Sequence, residues 1–311
     1  MERAGALSTK IEPPSIRWPD PVSDSTSLPS TPYFVSFRPE IPLDVNLPAF
    51  TLAEDPAVRA LLSGAAGVLL PNYVAPWRYG SLVACCRRWF PRLGAQFDYC
   101  GKTRQAVLFS QLRVRHPETR IFQSPEHLRA FVGEQELPWA FPFVLKGDTG
   151  GGGSSVFPVR ELGDLLRGLT RLPSDKPLLI QRWVDHGGMD LRVVVYGARA
   201  ISYFRIGDGQ FYNNVCRGGR IDYEIHPDLQ AKGVSAVQEL CRRAAIDVAG
   251  FDLMFPDSGD PVFIEINFHF GRKGLGGTKG HRKHIEEAVQ EWRKRCLEEY
   301  RSGQGASLTH N

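Results

Sequence analysis

Two apolar runs near the C-terminal end constrain this chain more than any other stretch: Gly250-Phe251-Asp252-Leu253 and Phe263-Ile264-Glu265-Ile266-Asn267. Each has strand composition. An acid closes the first, and a carboxylate and an amide stand two apart in the second. Residues i and i+2 of a strand share a face. Val262, Ile264, Ile266 and Phe268 are therefore expected toward a core, with Glu265, Asn267 and His269 on the opposite face. Asp252, Glu265 and Asn267 then bring three hard oxygen donors to one place. Magnesium suits such a set, because it takes few protein ligands and completes its shell with water and phosphate oxygens. Imidazole is a poorer ligand for that ion, which ranks His269 below the other three. By itself, Glu-x-Asn also describes a hairpin whose polar face is only solvated.

The 311 residues, 42% hydrophobic and 23% charged, are those of a globular chain with a substantial core. A net charge of +4 with scattered basic residues favours phosphorylated ligands but leaves no nucleic-acid footprint. Cys85, Cys86, Cys100, Cys216, Cys241 and Cys296 lack both C-x-x-C spacing and the density of a disulfide framework. Reduced thiols and a cytoplasmic location are expected. No apolar run is long enough to span a bilayer, and prolines and charges interrupt the N-terminus where a signal peptide would be apolar.

Composition and periodicity divide the chain into five stretches. Residues 1–43, rich in Pro, Ser and Thr, are expected to be extended or disordered. Residues 44–100 read as a small α/β domain. It has a helix from about Asp55, a buried strand at Gly67–Leu70, and a helix from Ser81 to Phe90 that Pro91 ends. Residues 101–176 open with a helix over Lys102–Val114 carrying Val107, Leu108 and Leu112 on one side. A strand at Phe141–Leu145 then delivers Lys146 just beyond its end. The glycine run Gly150–Gly153, a strand at Val156–Phe157 and a helix over Glu161–Leu169 follow. Residues 177–301 hold a strand at Pro177–Gln181, a hairpin of Leu191–Tyr196 and Ala200–Ile206, and a helix within His226–Val248. The carboxylate-bearing strand pair comes next, and Ile285, Val289, Trp292, Cys296 and Tyr300 mark a C-terminal amphipathic helix. Residues 302–311 are expected to be a disordered tail.

Several short motifs precede the strand pair. Gly150, Gly151, Gly152 and Gly153 would let backbone N–H groups approach a polyphosphate closely, and Lys146 could supply a point charge. No Gly-Lys-Ser/Thr follows, so this is not a P-loop, and a flexible hairpin loop has the same composition. Asp190-Leu191-Arg192 places an acid and a guanidinium on one strand face, a pattern equally common in surface ion pairs. In Asn213-Asn214-Val215-Cys216-Arg217-Gly218-Gly219, an arginine beside open backbone suits bidentate binding of a carboxylate or phosphate. A basic turn would look the same.

Taken in order, these motifs resemble the ATP-grasp superfamily, and within it the branch of ribosomal-protein glutamate ligases and glutathione-synthetase-like enzymes. The resemblance runs from Lys102 to about Gly277. It implies an α/β (α+β) fold in which two α+β subdomains, 101–176 and 177–301, grip ATP behind the small α/β domain of residues 44–100. It further implies that Lys102 and Lys146 contact phosphates under a lid formed by Gly150–Gly153. Gln181, Arg182, Trp183 and Val184 would be the hinge strand that holds adenine, with Asp190 near the ribose and Asn214 near the phosphates. Arg192 and Arg217 would act catalytically on an acyl phosphate. Asp252, Glu265 and Asn267 would bind two magnesium ions, manganese being the other ion such a site accepts. Two departures stand out. Arg182 replaces the acid usual in the hinge, and Phe268–Gly277 is an aromatic and basic loop where the family carries small residues and a proline.

The implied activity is an ATP-dependent carboxylate–amine ligase working through an acyl phosphate and adding an amino acid to a peptide, protein or small carboxylate. A phosphotransferase on the same fold and a non-catalytic nucleotide-binding regulator are the alternatives. Neither nucleic acid nor membrane is an expected partner.

Overall fold

The computed structural model describes residues 31–71, 73–207, 219–256 and 259–307, the last five as backbone only. All elements named here belong to the unit Pro32–Asn311. The strands fall into three sheets. In the first, β1 (Phe34–Ser36), β2 (Val45–Asn46), β3 (Gly67–Leu69) and β4 (Trp89–Phe90) run parallel in the order β2-β1-β3-β4. Phe34, Val35, Val68 and Leu69 are fully buried, as expected of a sheet covered on both faces. Helix α1 (Pro56–Gly64) starts where the Asp55 carboxylate accepts from the Ala57 N–H at 2.8 Å with proline in the first turn.

Two expectations fail in this region. The expected limit at residue 43 does not hold, because Tyr33–Phe37 is buried and supplies an inner strand of the packed first sheet. That apolar run is flanked by prolines, so composition averaged over the stretch conceals it. The helix expected at Ser81–Phe90 lies instead at Pro76–Val83 (α2), and Trp89–Phe90 pairs with Val68–Leu69. A strand partner twenty residues away leaves no local periodicity to read.

Helices α3 (Gly94–Asp98) and α4 (Lys102–Gln111) lead to the second sheet. It contains β5 (Thr119–Phe122), β6 (Phe143–Gly147), β7 (Val156–Val159) and β8 (Leu178–Arg182), antiparallel in the order β5-β8-β6-β7. Helices α5 (Pro125–Glu134) and α6 (Leu162–Leu169) close its core with Leu128, Phe131, Leu165 and Leu169. Lys146 stands inside β6 rather than past its end. On α4, Val107 is exposed, while Ala106, Leu108 and Phe109 face inward.

The third sheet contains β9 (Met189–Tyr196), β10 (Arg199–Ile206), β11 (Arg220–Asp222), β12 (Val248–Met254) and β13 (Val262–Asn267), in the order β11-β10-β9-β12-β13. One face packs Leu191, Val193, Val195, Phe251 and Leu253 against α7 (Pro227–Ala244) and α4. The other face changes character along β9. Val194 and Tyr196 pack on Ile285, Val289 and Trp292 of α8 (Gly277–Ser307), whereas Asp190 and Arg192 continue the same row as charges. The helix reaches Ser307, so the tail expected from 302 begins as helix. Strict alternation also fails in β13. Asp252 pairs with Glu265 but Leu253 with Phe263, leaving Ile264 as the extra residue of a bulge. Phe263 and Ile266 therefore enter the same core, and Ile264 is only half-buried.

Candidate active site

The two-residue turn of the β9–β10 hairpin sets Arg192 opposite Tyr203 and Asp190 opposite Arg205. Pairing of β9 with β12 sets Arg192 opposite Asp252, and β12 with β13 sets Asp252 opposite Glu265. A continuous row, Tyr203-Arg192-Asp252-Glu265, thus crosses four strands on one face. Asp252 and Glu265 lie on the same side of the sheet.

The charges in this row are tightly paired. Arg192 Nε donates to Asp252 Oδ1 at 2.5 Å and its Nη2 to Oδ2 at 3.1 Å. Arg205 Nε donates to Asp190 Oδ1 at 2.6 Å, and its Nη2 lies 3.0 Å from Asp252 Oδ1. All four side chains are at least nine-tenths buried. Burial alone would raise the Asp252 carboxyl, but the two guanidinium groups hold it below the usual carboxylate range. Burial raises Asp190, and Arg205, with a smaller contribution from Arg192, only partly opposes this.

Two lysines face the row. Lys102, in the first turn of α4, places Nζ 3.2 Å from Glu265 Oε1 and donates to the Gly150 carbonyl at 2.9 Å. Asp148 fixes that helix end: its Oδ1 accepts from the Thr103 N–H and hydroxyl at 2.8 and 2.6 Å, and its carbonyl from the Lys102 N–H at 3.0 Å. One turn on, the buried Gln105 amide donates to the Ile266 carbonyl at 2.7 Å and accepts from its N–H at 2.9 Å. It takes the place of a missing neighbour strand at the sheet edge, between Glu265 and Asn267. Lys146 is buried, which pushes its ammonium down to about 8; Glu265 and Asp252 oppose the shift and Lys102 adds to it.

The charged row, Asp190, Arg205 and both lysines line a cavity of about 390 Å³ together with Gly150–Gly153, Asn267 and the apolar Val144, Val184 and Met254. Gly150, Gly152 and Gly153 have φ of 115°, 63° and 77°, the left-handed region that glycine adopts freely. Of the expected hinge, Val184 lines the cavity. Gln181, Arg182 and Trp183 do not, and the Arg182 guanidinium pairs with Glu118 at 2.9 Å. Asn214 and Arg217 lie outside the described residues. Arg205, Tyr203 and Gln105 are additions that motif reading missed. A register count through the Gly197 turn would have placed Arg205 opposite Asp190, but Gln105 carries no signal short of the fold.

Among the described residues no three His, Cys, Asp or Glu side chains form a metal cage. The oxygen donors are two carboxylates and one amide, a set that fits an ion content with few protein ligands. Asp252 already accepts four hydrogen bonds or close ionic contacts, the fourth from Asn267 Nδ2 at 3.2 Å. Turning the Asn267 amide over would free a lone pair on Asp252 Oδ2 and present the amide oxygen in the same movement. With that turn the residues fit magnesium.

A model of the RimK-like ATP-grasp domain matches residues 100–287, the stretch that contains the row, both lysines and the glycine loop. The chain belongs to the RimK-like ATP-grasp family. Beta-citrylglutamate synthase B of Danio rerio is 30% identical over 158 residues, 50% of this chain and 38% of that protein. Human N-acetylaspartylglutamate synthase A is 30% identical over the same length, 39% of its own. The match thus spans well under half of these relatives. Among solved structures, the VanG D-Ala:D-Ser ligase of Enterococcus faecalis superposes with a TM-score of 0.56 over 73% of this chain and 72% of that one. At 14% identity this likeness concerns the fold, which is that of the ATP-grasp ligases.

Proposed function

We propose that this RimK-like ATP-grasp chain is an ATP-dependent carboxylate–amine ligase. The observation that carries the reading is the convergence of Asp252, Glu265 and Asn267 with Lys102, Lys146 and a glycine loop around one cavity. Relatives named as synthases of citrylglutamate and N-acetylaspartylglutamate support it. A substrate carboxylate oxygen attacks the γ-phosphorus of ATP, the β,γ-bridging P–O bond breaks, and ADP leaves. The amine then attacks the acyl carbon, the C–O bond to phosphate breaks, and the nitrogen loses a proton to solvent. Lys102, Lys146 and the N–H groups of Gly150–Gly153 would position the phosphates. Magnesium held by Asp252, Glu265 and Asn267 would neutralise phosphate charge.

Arg192 would hold the acyl phosphate through Nη1, the guanidinium nitrogen that Asp252 leaves free, and Arg217 would be its counterpart. Asp190, held by Arg205 at the wall of the same cavity, would lie near the ribose. Val184 would pack on the base, while Gln181, Arg182 and Trp183 would contribute backbone, and Asn214 would approach the phosphates. The reading includes a pre-grasp domain that starts at the first strand, followed by the two grasp subdomains. It also places the reaction in the cytoplasm, with which the free thiols of Cys85, Cys86, Cys100, Cys241 and Cys296 agree. No helix among the described residues is long and apolar enough to cross a membrane.

The test is to incubate the full chain with ATP, magnesium and pools of small carboxylates and alcohols, with hydroxylamine as the amine. Release of ADP with formation of a hydroxamate is expected, because hydroxylamine intercepts an acyl phosphate. A stable phosphorylated alcohol without hydroxamate would move the phosphotransferase reading ahead. No nucleotide turnover would favour the regulator.

A further inference from the structure

Tyr203 stands at one end of the charged row, opposite Arg192, and lines the cavity of the candidate site. It is only 4% exposed, and among the described residues its hydroxyl neither donates nor accepts a hydrogen bond. The other buried tyrosines among the described residues behave as buried phenols ordinarily do. The Tyr33 hydroxyl donates to the Leu61 carbonyl at 2.8 Å, and that of Tyr196 lies 2.7 Å from His281 Nδ1. A buried polar group without a partner is unfavourable, and one that opens on a cavity is satisfied by what enters it.

Two contacts hold the Tyr203 ring. The Tyr223 ring has its centroid 5.6 Å away. Gly274, in the loop that follows Asn267, sits so close that a Cβ there would collide with the ring carbon bearing the hydroxyl. Gly274 has φ of −75°, which any residue adopts, so the ring and not the backbone requires a glycine here. A phenol fixed in this way meets a ligand without the entropy loss of a free side chain. Burial raises the phenol above its ordinary value, and Arg192 and Arg205 oppose this only in part, so Tyr203 is a neutral donor at pH 7. Across the strands, Arg192 has Nη1 free of Asp252. A guanidinium N–H and a phenol O–H on neighbouring strands are two donors for one anion.

We propose that the Tyr203 hydroxyl donates a hydrogen bond to the anion that Arg192 holds and is a further catalytic residue of the chain. Identification of that anion as an acyl phosphate rests on the ligase reading; contact between Tyr203 and a phosphoryl group beside bound nucleotide does not. The tyrosine keeps its proton throughout. Its hydrogen bond strengthens as charge gathers on the phosphate that departs when the amine attacks.

Tyr203→Phe removes the hydroxyl and keeps the ring that Gly274 accommodates, so the melting temperature should not fall. At saturating ATP, magnesium and carboxylate, hydroxamate formation should drop about tenfold or more, as when a hydrogen bond to a charged group is lost, while the Kd of ATP stays within a few-fold of the native value. A second measurement needs no turnover. Titration calorimetry of inorganic phosphate into the full chain saturated with ADP and magnesium should show an affinity about tenfold weaker in Tyr203→Phe. A native hydroxamate rate in the variant would overturn the role in the reaction. A native phosphate affinity in the variant, or no saturable phosphate binding by the native chain, would overturn the contact itself. A lowered melting temperature would show the hydroxyl already bonded within the fold and would also overturn the proposal. If the native chain forms no hydroxamate, the ligase reading fails, and the phosphate titration still decides whether Tyr203 meets the anion.

Discussion

Arg205 gives the sharpest quantitative handle on the buried charge row. Replacing it with Met keeps much of the side-chain volume and removes the guanidinium that lies 2.6 Å from Asp190 and 3.0 Å from Asp252. Asp252 retains Arg192, but Asp190 loses its direct ion-pair partner among the described residues, in a site less than a tenth exposed. Breaking a buried pair from one side costs about 3–5 kcal/mol. Against a total stability of about 5–15 kcal/mol, that is a large fraction. The melting temperature should fall by on the order of 10 °C. Urea unfolding should place the loss in the midpoint, with the slope unchanged.

The pH dependence has a definite sign. Burial already raises Asp190, and removing Arg205 raises it further above the unfolded value. A carboxyl raised in the folded state contributes most below its unfolded value and loses that contribution as pH rises through the folded one. The deficit of Arg205→Met relative to the native chain should therefore be smallest near pH 4 and grow toward pH 7. Adding Asp190→Asn to the variant removes the stranded charge and should restore part of the stability. A double variant as unstable as the sum of the two single changes, or an Arg205→Met loss below about 1 kcal/mol, would refute the reasoning.

Lys146 loses its proton at about 8 in the free chain, so nucleotide affinity should fall as pH rises past that value. Polyphosphate favours the charged ammonium, so binding near pH 8–9 should take up protons; calorimetry in buffers of different ionisation enthalpy would measure this, and zero uptake would count against the phosphate role. Because this lysine is lowered on folding, its effect on stability runs the opposite way, with the penalty relieved as pH climbs from about 8 toward its ordinary value. Gln105→Leu removes both hydrogen bonds to Ile266 and leaves buried backbone groups unsatisfied at about 1–3 kcal/mol. Turnover should then need about tenfold more magnesium, and Gln105→Glu should not rescue it, lacking a donor for the Ile266 carbonyl; an unaltered magnesium titration would reduce Gln105 to a packing residue. Limited proteolysis at Gly150–Gly153 should slow when ATP and magnesium are present, because phosphate contacts offset the entropy of ordering glycine. Equal cleavage in both conditions would rule out a lid.

How much of this site could be read in advance depended on the distance over which each contact is encoded. Asp190 with Arg192, and Glu265 with Asn267, are two residues apart in their strands, and strand period alone brings each pair to one face. The β9–β10 hairpin is nearly as local, and its turn at Gly197 fixes the register that opposes Arg205 to Asp190. Beyond that range legibility declines. The bulge at Ile264 moves Phe263 to the core face, and nothing in Val262–Asn267 announces it. The pairing of β9 with β12, which brings Arg192 to Asp252, joins segments about sixty residues apart, and no local propensity specifies which strands become neighbours. Yet that pairing governs how the site would behave. A strand face carrying Asp252, Glu265 and Asn267 suggests three free ligands. The folded arrangement instead has Asp252 saturated by guanidinium and amide donors. Metal capture would therefore compete with an internal salt bridge, and the turn of the Asn267 amide would set the outcome. The seat of Tyr203 follows the same rule. Tyr203 and Gly274 stand about seventy residues apart, and the ring meets that glycine only once β10 and the loop after β13 have come together.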